Sequence, residues 1–328
     1  MSVNKRLVKE IRNLYNEQHR PSKPFLENEY LVYFDESNVQ KVHAIIKAPY
    51  DSVYRHKFIR LDLKIPDDYP YSPPEVTFLN YDGVRIHPNM YENGKCCSTI
   101  LNTWGDSILE KWTSSMGIET VLVTFHSFLD NHPYTYEPGG TDDPSYTVYV
   151  QYQTWITCLI RYLQNETIDI FRQFMHNYLL TNVGTIFNDL YVLAQQHTME
   201  RYYTRCFEID DFWVNYEQII SLLQHFYNYM EYKEIKGDDD TDFKAFVGTN
   251  YSCNICFDTT SGETTLTCCK HQFHKNCLKQ HIDTNHPLCP MCRANIDSAW
   301  MINPLTKRRI KIGGRTHVYL VENNLIEN

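Results

Sequence analysis

The sequence predicts an α+β protein in which a strand-and-helix body and a helical extension precede a small zinc-stapled module. Three observations predict it. An amphipathic helix at the start gives way to strands that alternate apolar and polar residues. A helical period then runs from about 146 to 235. Finally, eight cysteines and histidines stand at metal-ligand spacing between Cys253 and Cys292. At 328 residues with 42% hydrophobic content, the chain can bury one sizeable core plus a smaller module.

The first helix is read from Leu7, Ile11 and Leu14, one apolar stripe, with Lys5, Arg6, Lys9 and Arg12 on the other face. Strands follow. Val42, Ala44 and Ile46 alternate with His43, Ile45 and Lys47, and Ile59, Leu61, Leu63 and Ile65 alternate more strictly with Arg60, Asp62 and Lys64. This predicts one core face and one solvent face. Further on, Ile170, Phe174, Tyr178, Val183, Phe187 and Leu190 recur every three to five residues, with breaks expected near Gly184 and near Asp210-Asp211. The acidic run Gly237-Asp238-Asp239-Asp240-Thr241-Asp242 ends the period and reads as a linker, an acidic loop inside one domain being the alternative.

The metal set is Cys253, Cys256, Cys269, His271, His274, Cys277, Cys289 and Cys292. Tetrahedral zinc takes four soft or borderline ligands, and a Cys-x-x-Cys knuckle supplies two from one tight turn. Two knuckles plus Cys-x-His-x-x-His-x-x-Cys therefore make two sites. Protein fills every position, so both zinc ions are expected to be structural. So short a segment, poor in apolar residues, needs such a staple to fold.

This pattern resembles the RING finger of ubiquitin ligases. The resemblance implies interleaved sites, with Cys253, Cys256, His274 and Cys277 on one zinc and Cys269, His271, Cys289 and Cys292 on the other. Cys268 is a vicinal alternative to Cys269, but only Cys269 has the family's one-residue gap to His271. The resemblance also implies a surface that holds a charged conjugating enzyme through Ile255, Pro290 and Arg293, core packing being the alternative for Ile255. A tryptophan common in the family is replaced by His281.

A second set of landmarks lies upstream. Tyr54, Phe58, Pro66, Tyr69-Pro70-Tyr71-Ser72-Pro73-Pro74 and Val76 precede His87-Pro88-Asn89 and Gly94-Lys95-Cys96-Cys97. Together they resemble the ubiquitin-conjugating enzymes over about half the chain. Leu101-Asn102-Thr103-Trp104, Glu110-Lys111-Trp112 and Pro133-Tyr134-Thr135-Tyr136-Glu137-Pro138-Gly139 look closer to an extended subfamily that includes the conjugating domain of the giant BIR-repeat apoptosis inhibitor. The implied fold is an antiparallel sheet with flanking helices. The expected division is a conjugating core at 1–163, a helical extension at 164–235, an acidic linker at 236–250, the RING finger at 251–297 and a basic tail at 298–328.

The chemistry implied is thioester exchange with a ubiquitin-activating enzyme, then transfer of ubiquitin to a substrate lysine. The first step needs a thiolate, the second a neutral amine and a stabilised oxyanion. Family spacing selects Cys97 as nucleophile and leaves Cys96 in a buried aliphatic position. Asn89 offers an uncharged amide donor suited to the oxyanion, with loop bracing as the alternative. His87 is expected to be structural. Glu137 falls where the family often carries an acidic or polar residue near the incoming amine, with a capping or solvated role as the alternative. RING docking is implied for the first helix, Tyr71 and the stretch after Trp112, where Thr113-Ser114-Ser115 replaces Ser-Pro-Ala and so loses a preorganising proline.

Composition narrows the partners. A net charge of −9 argues against nucleic acid as the main partner. No apolar run is long enough to span a bilayer, and the start lacks the apolar stretch of a secretion signal, so a soluble intracellular protein, cytoplasmic or nuclear, is expected. Cys96, Cys158, Cys206 and Cys268 lack framework spacing and read as thiols in a reducing compartment. The partners expected are ubiquitin, its activating enzyme, protein substrates and a second copy of the chain. The tail from Asn303 to Thr316 resembles an adaptor-like module of large DNA viruses, which implies a viral source. As a bare basic cluster it also fits a nuclear-import signal or a solvated end.

Overall fold

In a computed structural model of the protein, residues 4–35, 37–105, 108–198, 200–209 and 211–236 are described, with short pieces at 264–266, 272–274, 276–279, 300–302 and 309–311. The chain divides into two compact units, Met1–Lys244 and Ala245–Asn328.

Helix α1 (Lys5–Gln18) starts at Asn4, whose side chain accepts from the Arg6 and Leu7 amides. That bond satisfies two of the first-turn donors a helix leaves unpaired. Leu7, Ile11 and Leu14 are buried and the basic residues are exposed. At its end, Gln18 bonds both the amide and the carbonyl of Val32, stitching the helix to the sheet. Four strands, β1 (Tyr30–Asp35), β2 (Asn38–Lys47), β3 (Phe58–Lys64) and β4 (Glu75–Phe78), form an antiparallel meander in chain order. Leu31, Val42, Ala44, Ile46, Ile59, Leu61, Leu63, Val76 and Phe78 are all buried, and helix α2 (Ile118–Ser127) buries Ile118, Val121, Leu122 and Phe125 in the same core.

The opposite sheet face departs from expectation. Lys64 is exposed as predicted, but Arg60 is 3% exposed and Ile45, its cross-strand partner, is fully buried. The extension covers this half of the sheet. Helix α3 (Pro144–Trp155) continues through a π-helical turn (Ile156–Ile160) into α4 (Arg161–Asn165), and α5 (Asp169–Thr181) follows. Phe174 and Tyr178 of α5 meet Phe58 edge-on at 5.8 and 5.5 Å. The Arg60 guanidinium lies 4.7 Å from the Phe171 ring centre. Alternation along β3 predicted a polar face correctly, yet a neighbouring layer with its own carboxylate makes burial of that cation tolerable.

Asn182 closes α5, and α6 (Val183–Gln196) begins beside Gly184, where a break was expected. The second break, expected near Asp210-Asp211, falls at a hairpin of β5 (Glu200–Tyr203) and β6 (Asp211–Val214), and the helical period then resumes in α7 (Tyr216–Lys236). In β6 the exposed Asp211 and Trp213 alternate with the buried Phe212 and Val214, a strand signal only four residues long. A polar joint fastens α5 and α6 to the core. His56, at φ +71°, bonds Tyr178 and Asp189 at 2.9 Å each, and Arg55 pairs with Asp189 at 2.9 Å.

In the second unit, β7 (Thr264–Leu266) pairs antiparallel with β8 (Gln272–His274), and a helical turn spans 276–279. Phe273 and Leu278 are buried. Strand β9 (Trp300–Ile302) pairs antiparallel with β10 (Arg309–Lys311), so these two pieces of the basic tail are strands. Among the residues expected to bind zinc, His274 ends β8 and Cys277 lies on the helical turn. Cys253, Cys256, Cys269, His271, Cys289 and Cys292 lie outside the described residues, as do Ile255, Cys268, His281, Pro290, Arg293 and 237–250.

Candidate active site

The strip from His87 to Cys97 is a compact loop folded against β4. Phe78 donates to the Gly94 carbonyl at 2.7 Å, and Gly94 has φ +83°. A Cβ there would come within 2.6 Å of the Phe78 carbonyl oxygen, so glycine is required both for the backbone angle and for the close approach. Past this turn Cys96 and Cys97 face different surroundings. Cys96 is buried, its thiol directed at the Gly94 carbonyl at 3.7 Å, and burial raises its pKa far above that of a free thiol. A thiol so held is a poor source of thiolate. Cys97 is also only 2% exposed in this conformation, although thioester exchange needs an accessible sulfur.

Asn89 and Cys97 are bonded reciprocally. The Cys97 amide donates to the Asn89 carbonyl at 2.9 Å, and Asn89 Nδ2 donates to the Cys97 carbonyl at 2.8 Å. A carboxamide carries two N–H donors. One braces the loop here, which leaves a second for an oxyanion. His87 is fully buried, stacked on Phe128 at 5.3 Å and against Tyr136 at 4.8 Å. Its Nδ1 accepts from the Asn89 amide at 3.1 Å. Burial first, then the nearby charge of Arg85, pushes its pKa down to about 3. The ring is therefore a neutral acceptor that braces Asn89.

Glu137 closes the 3₁₀ turn Pro133–Tyr136, its amide donating to the Tyr134 carbonyl at 3.0 Å and its carbonyl accepting from Gly140 at 2.7 Å. The backbone makes this cap. The carboxylate oxygen Oε2 is buried and makes no hydrogen bond to another described residue, an open acceptor beside the turn.

The docking stretch implied for a RING partner is firmly built despite its missing proline. Thr113 and Ser115 hydroxyls bond at 2.8 Å, Met116 donates to the Thr113 carbonyl at 2.9 Å, and Trp112 Nε1 reaches the Pro70 carbonyl at 2.7 Å. Glu10 of α1 accepts from Tyr69 at 2.6 Å and from the Ile118 amide at 3.1 Å, joining both loops to the helix. Tyr71 is 79% exposed beside them.

Sequence reasoning missed two residues at the active loop. Arg85 bonds the Pro88 carbonyl at 2.8 Å and Glu92 at 3.0 Å, and Phe207 of the extension lies on its guanidinium. Neither belongs to a motif. Only the fold brings residue 207 to residue 85.

Residues 6–146 match the ubiquitin-conjugating enzyme family, and residues 253–292 match the C3HC4-type zinc finger, or RING finger. Among curated relatives, zebrafish "Ubiquitin-conjugating enzyme E2 Z" is 36% identical over 107 residues, 32% of this chain and 32% of that protein. "Ubiquitin-conjugating enzyme E2" of African swine fever virus is 34% identical over 143 residues, 43% of this chain and 59% of that protein. Human "Dual E2 ubiquitin-conjugating enzyme/E3 ubiquitin-protein ligase BIRC6" is 38% identical over 109 residues, 32% of this chain and 2% of that protein. The chain thus spans about a third of the length of the first of these relatives. The antiparallel meander with its flanking helices is accordingly a ubiquitin-conjugating fold, and the chain carries a segment that matches the conjugating-enzyme family ahead of one that matches the RING finger.

Proposed function

We propose that the chain is a ubiquitin-conjugating transferase that carries ubiquitin as a thioester on Cys97, passes it to substrate lysines, and is assisted by its own RING segment. The observation that carries this reading is the reciprocal pair between Asn89 and Cys97, which sets an amide donor on the carbonyl of the proposed nucleophile at 2.8 Å. Loading transfers the ubiquitin C-terminal acyl group from the activating enzyme's thiol to the Cys97 sulfur. In discharge, a substrate amine attacks the thioester carbonyl and the thiolate leaves. Asn89 stabilises the tetrahedral oxyanion with its second N–H, and Glu137 accepts a proton from the attacking amine or orients it. Cys96 takes no part in either step.

The RING segment is proposed to bind two structural zinc ions in the interleaved arrangement. No step of the acyl transfer runs through them. The finger's part is to hold the charged conjugating domain, of its own chain or of a second copy, through Arg293 and its neighbours. Linkage in one chain supports this, since a short flexible connection would give an effective concentration of about millimolar. An intracellular, reducing setting is supported by the buried unpaired thiols of Cys96, Cys158 and Cys206. The African swine fever virus relative accords with a viral source, and the human BIRC6 relative with membership of the extended subfamily.

Incubation with activating enzyme, ATP and ubiquitin, followed by gels with and without thiol, tests the reading. A thiol-sensitive adduct one ubiquitin larger is expected. Its absence with an activating enzyme that charges a control conjugating enzyme overturns the reading.

A further inference from the structure

We propose that Phe207, supplied by the helical extension, is a positioning residue for the Asn89 loop and acts through Arg85. The loop is controlled at one peptide group, Pro88–Asn89. Its carbonyl accepts from Arg85 Nη2 at 2.8 Å, and its amide donates to His87 Nδ1 at 3.1 Å. A peptide group held at both ends cannot rotate, and Asn89 issues directly from it. The orientation of the Asn89 side chain therefore depends on where Arg85 sits.

Arg85 is 7% exposed and enclosed on several sides. Its guanidinium carbon lies 3.7 Å from the Tyr91 ring centre and 4.4 Å from that of Phe207, so two aromatic rings grip the cation. Tyr146 of α3 donates to the Arg85 carbonyl at 3.0 Å, and Phe207 meets Tyr146 edge-on at 5.4 Å. Phe207 also meets Tyr134 at 5.5 Å, in the turn that ends at Glu137. One side chain from the extension thus touches both segments that flank the proposed reaction centre.

The backbone shows that this placement is imposed. Phe207 has φ +54° and Glu208 φ +57°, consecutive left-handed residues that are not glycine. Such angles are costly for a bulky side chain and persist only where surrounding contacts over-determine them. Here they turn the Phe207 ring onto Arg85 at the tip of the connection between β5 and β6.

The catalytic consequence rests on the proposed role of Cys97, but the bracing itself can be measured without ubiquitin. Phe207→Gly is the informative variant, because glycine accepts the left-handed angle and removes only the ring. Amide hydrogen exchange in the full chain should speed up roughly tenfold for peptides covering 85–97, while β3 peptides covering 58–64 stay unchanged. Phe207→Tyr, which keeps the ring, should behave as the native chain. Unchanged exchange at 85–97, or equal acceleration in both segments, overturns the proposal whatever the activity. In the ubiquitin assay, Phe207→Gly should slow discharge to free lysine roughly tenfold or more, with Cys97 loading changed far less. Equal slowing of both steps overturns the positioning role. Failure of the native chain to load ubiquitin overturns the functional reading instead, and leaves the exchange result to decide the bracing.

Discussion

Arg60 of β3 donates to Glu166 at 2.6 Å, with both side chains under 5% exposed, so a buried ion pair locks the conjugating sheet to the extension that follows it. The pair is well supplied. Arg60 also donates to the Ala44 and Leu61 carbonyls, and the other Glu166 oxygen accepts from the Thr167 and Ile168 amides at the start of α5. Arg60 also reaches the half-exposed Asp62 at 3.4 Å, a longer contact that does not replace the buried carboxylate. Breaking a buried pair typically costs about 3–5 kcal/mol, whereas replacing both members with apolar residues is often close to neutral. Glu166→Ala should therefore lower the denaturation midpoint strongly, and Arg60→Met combined with Glu166→Leu should recover most of the loss. Chemical denaturation of the three variants checks this. A small effect of Glu166→Ala alone would show that the extension is not anchored there.

The assignment of nucleophile separates cleanly between adjacent cysteines. Cys97→Ala should abolish the thiol-sensitive ubiquitin adduct and Cys96→Ala should retain it, since the Cys96 thiol is buried and resists ionisation. An adduct that survives Cys97→Ala and disappears with Cys96→Ala reverses the assignment.

Asn89 serves two demands that can be told apart. Loss of an oxyanion donor typically raises a barrier by about 2.7–4 kcal/mol. Asn89→Ala should accordingly slow discharge to lysine by about a hundredfold or more, and loading much less, because amine attack makes the greater demand on the oxyanion. Single-turnover rates for the two steps decide it, equal slowing being the mark of a purely bracing amide.

His87 makes stability depend on acid. The unfolded imidazole takes up a proton below about pH 6.5, while the folded one resists until about pH 3. Between those values the unfolded state binds more protons, so stability falls as pH drops, by up to about 1.4 kcal/mol per pH unit for one group. His176, lowered to about 4 by burial, acts in the same direction. His87→Asn, which keeps an acceptor for the Asn89 amide, should flatten the acid limb of a stability profile between pH 6 and 4. A limb of unchanged slope would mean that His87 titrates normally when folded.

The RING segment should carry two zinc ions per chain by elemental analysis, and His274→Ala should lower that number while leaving Cys97 loading largely intact, because Met1–Lys244 is a compact unit by itself. With zinc bound, Arg293→Ala should slow discharge from Cys97 in autoubiquitination. If discharge is the same for the intact chain, for Arg293→Ala and for the separated conjugating domain, the finger serves a different conjugating enzyme.

Local pattern was enough to read the α1 stripe, the alternation along β3 and the Cys253–Cys292 spacing that the RING-finger family shares. Each depends on residues a few positions apart, where helical or strand periodicity and chelate geometry act directly on neighbours. The hairpin of β5 and β6 escaped because four-residue strands give too short a period to stand out within a helical stretch. Other features had no local signature. The burial of Arg60 depends on a carboxylate 106 residues later, and the grip on Arg85 depends on Phe207. A charged residue on the outer face of a strand reads as solvated until another layer covers it, and only long-range packing decides whether that layer brings the opposite charge or an aromatic ring. The sequence by itself thus determined the first helix, the strands of the core and the motifs proposed to do chemistry. The tertiary structure alone decided that the extension closes over the sheet and reaches the active loop, because contacts between distant segments are chosen by the summed burial of whole surfaces.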